Sequence, residues 1–387
     1  MIRKALFTIF LCILFPILSP AERISFTYDA DFEMKFDNRE YYSSSFSNSM
    51  TIFGSRLTPS FGIDISSDAG MRHSLMAGID VMKDFGASPV KESISGEGSA
   101  ESLLSQNNKD LLRELIIYYG LQRKSDESSF SLYAGIFPRS LSEGDWSQAF
   151  FSDSLRFYDN NLEGILLKYR REQSYVELGC DWMGQYGDSR REKFMVFSAG
   201  NFKVAPFMSL GYSAYMYHFA GSRIARGVVD NILLNPHVDM DFTPWMKIQK
   251  FSMRFGWLQS FQHDRVQVGN YVYPAGGEFD VEVRNWNFGL RNYLFCGTDM
   301  MPYYDSPDVA GHKYGTRLYF GDPFYRVHDD GRTGPGIYDR LEAMYETRVA
   351  KGLDVRIAAI FHFHDFSYSG CQQQVTLSFD LERMMNK

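Results

Sequence analysis

Arg23-Ile24-Ser25-Phe26-Thr27-Tyr28-Asp29-Ala30-Asp31-Phe32-Glu33-Met34-Lys35-Phe36 is the stretch that decides the fold. Ile24, Phe26, Tyr28, Ala30, Phe32, Met34 and Phe36 fall on one parity, and Arg23, Ser25, Thr27, Asp29, Asp31, Glu33 and Lys35 on the other. Strand side chains point alternately to opposite faces, so period two sorts this stretch into an apolar and a charged face. A helix would scatter both classes around its circumference. The run also exceeds the roughly five or six residues of an ordinary strand, and suffices to cross a bilayer at the tilt of a barrel strand.

The pattern recurs along the chain. Leu57, Pro59, Phe61, Ile63 and Ile65 form one apolar face, and Val176, Leu178, Cys180 and Trp182 another. Phe251, Met253, Phe255 and Trp257 follow, and the chain closes on Leu353 to Phe363 and on Val375, Leu377, Phe379 and Leu381. Alternation alone would also suit a soluble lipocalin-like barrel. Such barrels normally have about eight strands, whereas this chain carries an even count of about 16, with 14 and 18 the neighbouring even counts for a membrane barrel. The count turns on 279–295, read as two strands joined near Arg284-Asn285. Connections alternate too. Short turns are expected at 66–70, 171–174, 201–203 and 350–352, and long polar loops at 86–109 and 297–336. These features predict an all-β, transmembrane, antiparallel up-and-down barrel with short periplasmic turns and long extracellular loops.

The ends fit that reading. Arg3 and Lys4 precede the apolar run Ala5 to Leu18, and Ser19-Pro20-Ala21 offers small residues for a signal peptidase. Residues 1–21 read as a cleavable signal peptide and 22–387 as one outer-membrane barrel domain. The apolar run is too short for a spanning helix of about 20 residues, and Leu11 before Cys12 does not suit a lipoprotein signal. Aromatic residues make up 16% of the chain and charged residues 22%, a balance that suits a lipid-facing wall with interfacial aromatics. Net charge is −7, and there is no basic tract, which argues against nucleic acid as a partner. Cys180, Cys296 and Cys371 form no zinc-type or paired spacing.

The polar faces mix both signs. Asp29, Asp31, Glu33 and Lys35 share the first strand; Asp239 and Asp241 share a middle one. Arg340 and Glu342 face the same way, as do Arg356, His362 and His364 on the penultimate strand. These are the candidate lumen-lining residues of a water-filled pore. The connection 138–160, PRSLSEGDWSQAFFSDSLRFYDN, has its own hydrophobic anchors (Trp146, Phe150, Phe151, Phe157, Tyr158) and opposed charges: Arg139 and Arg156 against Glu143, Asp145, Asp153 and Asp159. Such a segment can fold back against a wall instead of waving in solvent. Its position after the fifth strand of an outer-membrane barrel resembles the constriction loop of porins. That resemblance implies a loop folded into the lumen, with those six charged residues setting ion preference; an extracellular cap is the other reading.

No GxSxG elbow, HExxH motif or P-loop is present. His362 and His364 at i, i+2 lack a nameable third ligand, so neither metal nor cofactor is expected. The sequence therefore reads as a non-enzyme: a porin-like channel passing small polar solutes by diffusion, narrowed by 138–160. The alternative is a plugged barrel serving as scaffold or accessory subunit of a nutrient-uptake or secretion complex, with the Tyr-rich 297–336 loop as its docking surface. Expected partners are outer-membrane lipid and small polar solutes, with a second copy of the chain or a surface-complex subunit as the protein partners.

Overall fold

The computed structural model describes residues 23–41, 44–67, 70–86, 111–328 and 332–385. The expected signal peptide and residues 87–110 of one long loop lie outside the described residues. The strands are β1 (Arg23–Glu40), β2 (Met50–Ser66), β3 (Met71–Asp84), β4 (Leu112–Lys124), β5 (Ser128–Pro138), β6 (Asn161–Arg171), β7 (Ser174–Gly184), β8 (Lys193–Ala205) and β9 (Met208–Phe219). They continue as β10 (Val229–Asp241), β11 (Lys250–Asp264), β12 (Tyr271–Val272), β13 (Ala275–Asn285), β14 (Phe288–Gly297), β15 (Gly336–Ala350), β16 (Leu353–His364) and β17 (Ser367–Asp380). Two short helices complete the elements used below, α1 (Asp153–Tyr158) and α2 (Leu381–Met385).

Apart from β12 and β13, each strand pairs antiparallel with its neighbours in sequence, and β17 pairs with β1 from Asp31↔Asp380 to Glu40↔Cys371, so the sheet closes on itself. β12 and β13 both pair with β11. Pro274 separates them, having no N–H to give the ladder. Counted as one wall strand, they leave a closed barrel of 16 strands, as the alternation predicts.

The wall turns its apolar parity outward. Phe26, Phe61, Leu115 and Trp257 are all exposed, which for a closed barrel means exposure to lipid. Exposed aromatics gather at both rims: Tyr169, Trp245, Trp286 and Phe288 where the connections are short, Trp182, Tyr271, Tyr273 and Phe366 where most are long. Amphipathic rings at both boundaries are the girdles of a membrane barrel.

Two expected turns sit elsewhere. The β13–β14 junction falls at Trp286-Asn287, not Arg284-Asn285. Both residues have positive φ (50° and 67°), the left-handed pair that lets a two-residue turn match strand twist. The turn expected at 201–203 is strand, and the chain reverses at Pro206-Phe207. Asn201 and Lys203 are polar because they lie on the inner parity of β8.

The expectation of a uniformly wet lumen is also corrected. Met195, Phe197, Tyr215, Tyr217, Phe219 and Leu233 point inward from β8, β9 and β10, and join loop residues such as Phe150, Phe151, Leu318, Tyr319, Phe324 and Tyr325 in one buried cluster. The loop half of the barrel thus holds an aromatic core between its walls. Cys180, Cys296 and Cys371 are free.

Candidate functional site

The connection 138–160 enters the lumen and crosses it. Glu177 on β7 receives its first part, accepting from the Ser142 hydroxyl (2.5 Å) and the Glu143 and Gly144 amides (2.7 and 2.9 Å). Glu143 pairs with Lys168 (3.2 Å) and Arg170 on β6. Burial opposes its charge, but hydrogen bonds from Arg170 and Lys168 prevail and hold its carboxyl below the usual range. Asp145 meets Arg254 of β11 at 2.6 Å, and that guanidinium holds its pKa at about 2.

The second half is built around α1. Ser152 caps it, its hydroxyl accepting from the Leu155 amide (3.3 Å), which satisfies one of the orphan donors of a helix start. Asp153 in the first turn pairs with Arg340 of β15 at 3.1 Å, and the Lys35 ammonium of β1 donates to its carbonyl at 3.3 Å. At the helix end Arg56 of β2 donates to the carbonyls of Phe157 and Tyr158, while pairing with the buried Asp80 at 3.0 Å. The Tyr158 hydroxyl donates to Asp84 of β3 at 3.2 Å. Arg139 joins Asp159 (3.1 Å) and Asp181 (3.6 Å), and Arg156 donates to the Trp146 carbonyl. All six predicted loop charges therefore have partners, which lie on several sectors of the wall or within the loop itself.

The predicted wall residues divide. Lys35, Asp239, Arg340, Glu342 and Arg356 belong to networks: Arg254 bridges Asp239 and Asp145, and Glu342 takes both Arg340 (2.9 Å) and Arg356. Asp29 and Asp31 lie with Asp380 near the turn rim, ligand oxygens within 4.8 Å of one another. Glu33 shares their strand face. Asp241 caps the turn after β10, accepting from the Thr243 amide at 2.9 Å. His362 Nδ1 meets the Tyr338 hydroxyl (2.8 Å) and its Nε2 donates to Gln372 Oε1, while His364 Nε2 donates to the Phe324 carbonyl and its Nδ1 meets the Ser369 hydroxyl (both 2.9 Å). Their rings stack in the aromatic core, His362 on Phe324 at 4.2 Å between centroids. Sequence reasoning missed Arg56, Asp80, Glu177 and Arg254. Each lies on an inner parity, but its loop partner is far away in sequence.

The described part of the 297–336 connection also folds inward. Gln262 of β11 donates to the Met300 carbonyl (2.9 Å) and accepts from the Tyr319 hydroxyl (2.6 Å), while Tyr325 donates to Glu278 of β13 (2.7 Å). The two loops join through Ser152 N to Phe320 O and Asp322 N to Gln148 O, both at 2.8 Å.

Three cavities lie in series along the β5–β9 side. The first, about 330 Å³, is at the loop rim, lined by Arg191, Lys193, Ser222, Asp308, His312 and Arg317 among others. The second, about 350 Å³, shares Lys193 and Arg317 with it and adds Asp159, Glu163 and Asp181. The third, about 250 Å³, lies under Arg139, Ser142, Trp146 and Arg156. Two serine–histidine placements bear on hydrolysis. Ser369 and His364 are hydrogen-bonded but buried beneath aromatic rings. Ser222 and His312 both line the rim cavity, His312 exposed and Ser222 buried.

No curated protein matches this chain. Among solved structures, a mutant of Rh. blastica porin aligns with TM-score 0.43 and 12% identity, covering 92% of this chain and 100% of its own. Pseudomonas aeruginosa OpdO aligns with TM-score 0.49 and 8% identity, covering 92% of this chain and 97% of its own. A family model described as Lipid A 3'-O-deacylase-type matches residues 24–305. That is an enzyme family, which overturns the expectation of a barrel without catalytic activity. Linear motifs such as GxSxG mark one way of building a hydrolase, whereas a barrel assembles its groups from separate strands and loops, leaving no local signature. With most of its length inside that match, from β1 into the 297–336 loop, the chain belongs to the Lipid A 3'-O-deacylase-type family.

Proposed function

We propose that this chain is an outer-membrane ester hydrolase that removes a 3'-O-linked acyl chain from lipid A. Water adds across the ester carbonyl, the sugar hydroxyl leaves with a proton, and a free fatty acid is released. Family membership over residues 24–305 carries this reading. The rim cavity supports it as the place of reaction, because it presents the exposed His312 imidazole at the loop rim, with the buried Ser222 and Asp308 side chains also in its lining. His312 is the candidate general base there, a role worth about 10²–10⁴-fold in rate. The test is folded, purified protein incubated with lipid A in mixed micelles and read by mass spectrometry. Loss of one 3'-acyl chain is expected, falling by at least about 10²-fold in His312→Ala. Lipid A left intact by correctly folded protein refutes the activity; full activity in His312→Ala refutes the placement.

A second reading is solute passage past the 138–160 loop, favoured by the three cavities in series beside that loop and by charges of both signs along them. In planar bilayers it requires stepwise conductance that grows when residues 140–158 are deleted. Folded protein giving no steps removes it.

A further inference from the structure

We infer that the rim cavity is a binding site for the phosphate headgroup of an anionic lipid. Three cations line it, Arg191, Lys193 and Arg317, against one carboxylate, Asp308. Both guanidinium groups meet the same Asp308 oxygen, Arg191 at 2.8 Å and Arg317 at 3.0 Å. The other Asp308 oxygen accepts from the Ala310 and His312 amides (2.9 and 3.0 Å). Asp308 is thus fully used in holding the two arginines side by side, and it offsets only one of the three charges.

Lys193 is left over. It opens β8, half-buried, and lines both the rim cavity and the next one, where Asp159, Glu163 and Asp181 also stand, but no carboxylate among the described residues comes within ion-pair distance of its ammonium. A cation partly out of bulk water that makes no direct ion pair is costly. A phosphate oxygen between Lys193 and the arginine pair would lower that cost, and a guanidinium fork suits phosphate geometry.

The arginines are also held rigidly. Arg191 and Arg317 lie against the buried Phe219 ring at 4.9 and 5.8 Å, and Arg317 donates to the carbonyls of His312 (2.8 Å) and Lys313. Preorganised donors lose little freedom when an anion arrives.

The cavity's edge favours a lipid over a free anion. Ile224, which lines it, is 79% exposed, and Val309 is exposed nearby, within van der Waals reach of a side chain placed at Gly227. A cationic floor with an apolar lip matches a phosphate that carries acyl chains. The loop residues that line the cavity (Ser189, Arg191, Ser222, Ile224, Asp308 and His312) lie at the rim where a leaflet's headgroups would sit. The site deepens the hydrolytic reading by anchoring a phosphorylated substrate, but it is tested by binding, so its failure is separate from a failure of turnover.

The experiment uses the full barrel in a neutral detergent, titrated calorimetrically with dihexanoyl phosphatidic acid, dihexanoyl phosphatidylcholine and inorganic phosphate. Phosphatidic acid should bind, and the zwitterionic lipid should bind at least about tenfold more weakly, the equivalent of one lost charge-assisted contact. Lys193→Gln should weaken phosphatidic acid about tenfold, with Lys193→Arg restoring it, and raised salt should weaken it further. Ile224→Asn should lower affinity for the lipid but not for inorganic phosphate. Heat-modifiable mobility confirms that each variant is folded. Equal binding of the two lipids, or Lys193→Gln and Arg317→Gln both binding as wild type, overturns the site. Inorganic phosphate binding as tightly as phosphatidic acid overturns its assignment to a lipid.

Discussion

Replacing Arg56 with Met should release the 138–160 loop from the wall while leaving the barrel closed. Arg56 is 5% exposed and ties the end of α1 to β2 through the carbonyls of Phe157 and Tyr158. A hydrogen bond from a charged donor contributes about 1.5 kcal/mol at the low end, so losing two costs about 3 kcal/mol. That shifts the opening equilibrium of the docked loop by roughly two powers of ten. Asp80 loses its cation too, but keeps the Asn161 amide at 3.0 Å, and its penalty falls on the wall more than on α1. Hydrogen exchange reads the local step directly. The Arg156 and Asp159 amides, bonded to Ser152 O (3.2 Å) and Leu155 O (2.7 Å), should exchange about a hundredfold faster, while strand amides stay protected. Arg56→Lys keeps the charge beside Asp80 but lacks the fork that spans two carbonyls, so it should lie between the two. Unchanged exchange at both amides in the Met variant would refute the docking role, as would Lys behaving like Met.

Four further outcomes follow from the other loop contacts. Phe324→Ala removes a side chain that is 1% exposed and stacked on His362; about 3–5 kcal/mol of packing is lost, and the 297–336 loop should become cleavable by protease under conditions where the wild type is not. Asp299, at the root of that loop, is pushed up to about 6 by burial. A carboxyl raised in the folded state contributes stability that is full below the unfolded value near ~4 and lost as pH rises through about 6. Loop exchange, corrected for intrinsic rate, should therefore accelerate between pH 5 and 7, and Asp299→Asn should flatten the change. Asp145 has the opposite sign: Arg254 lowers it to about 2, so its contribution is present above ~4 and lost as pH falls toward 2. Glu177→Gln replaces a buried carboxylate that accepts three loop donors; it should cost about 1.5–3 kcal/mol of loop docking, read as faster exchange at the Glu143 and Gly144 amides.

Much of the wall was legible because strand pairing in an up-and-down barrel is a nearest-neighbour matter. Alternation from Ile24 to Phe36 marks the strand and its two faces, and β1 pairs with the next strand in sequence and with the last. Turn positions were less legible. Asn201 and Lys203 are polar for the lumen, and polarity looks the same whether it marks an inner face or a turn. The apolar inner face of β8 to β10 had a visible signal. Phe194-Met195-Val196-Phe197 and Ala214-Tyr215-Met216-Tyr217 are apolar on both parities, which is what a wall between lipid and a packed interior requires.

The sequence by itself determined that this chain is a long-stranded, closed antiparallel barrel with an apolar outside, because those properties follow from local periodicity. Only the tertiary structure decided what fills it. Arg254 meets Asp145, Arg340 meets Asp153, and Arg191, Lys193 and Arg317 line one cavity with Asp308 across more than a hundred residues of chain. Such meetings depend on where loops land after the ring has closed, and a period of two carries no information about that.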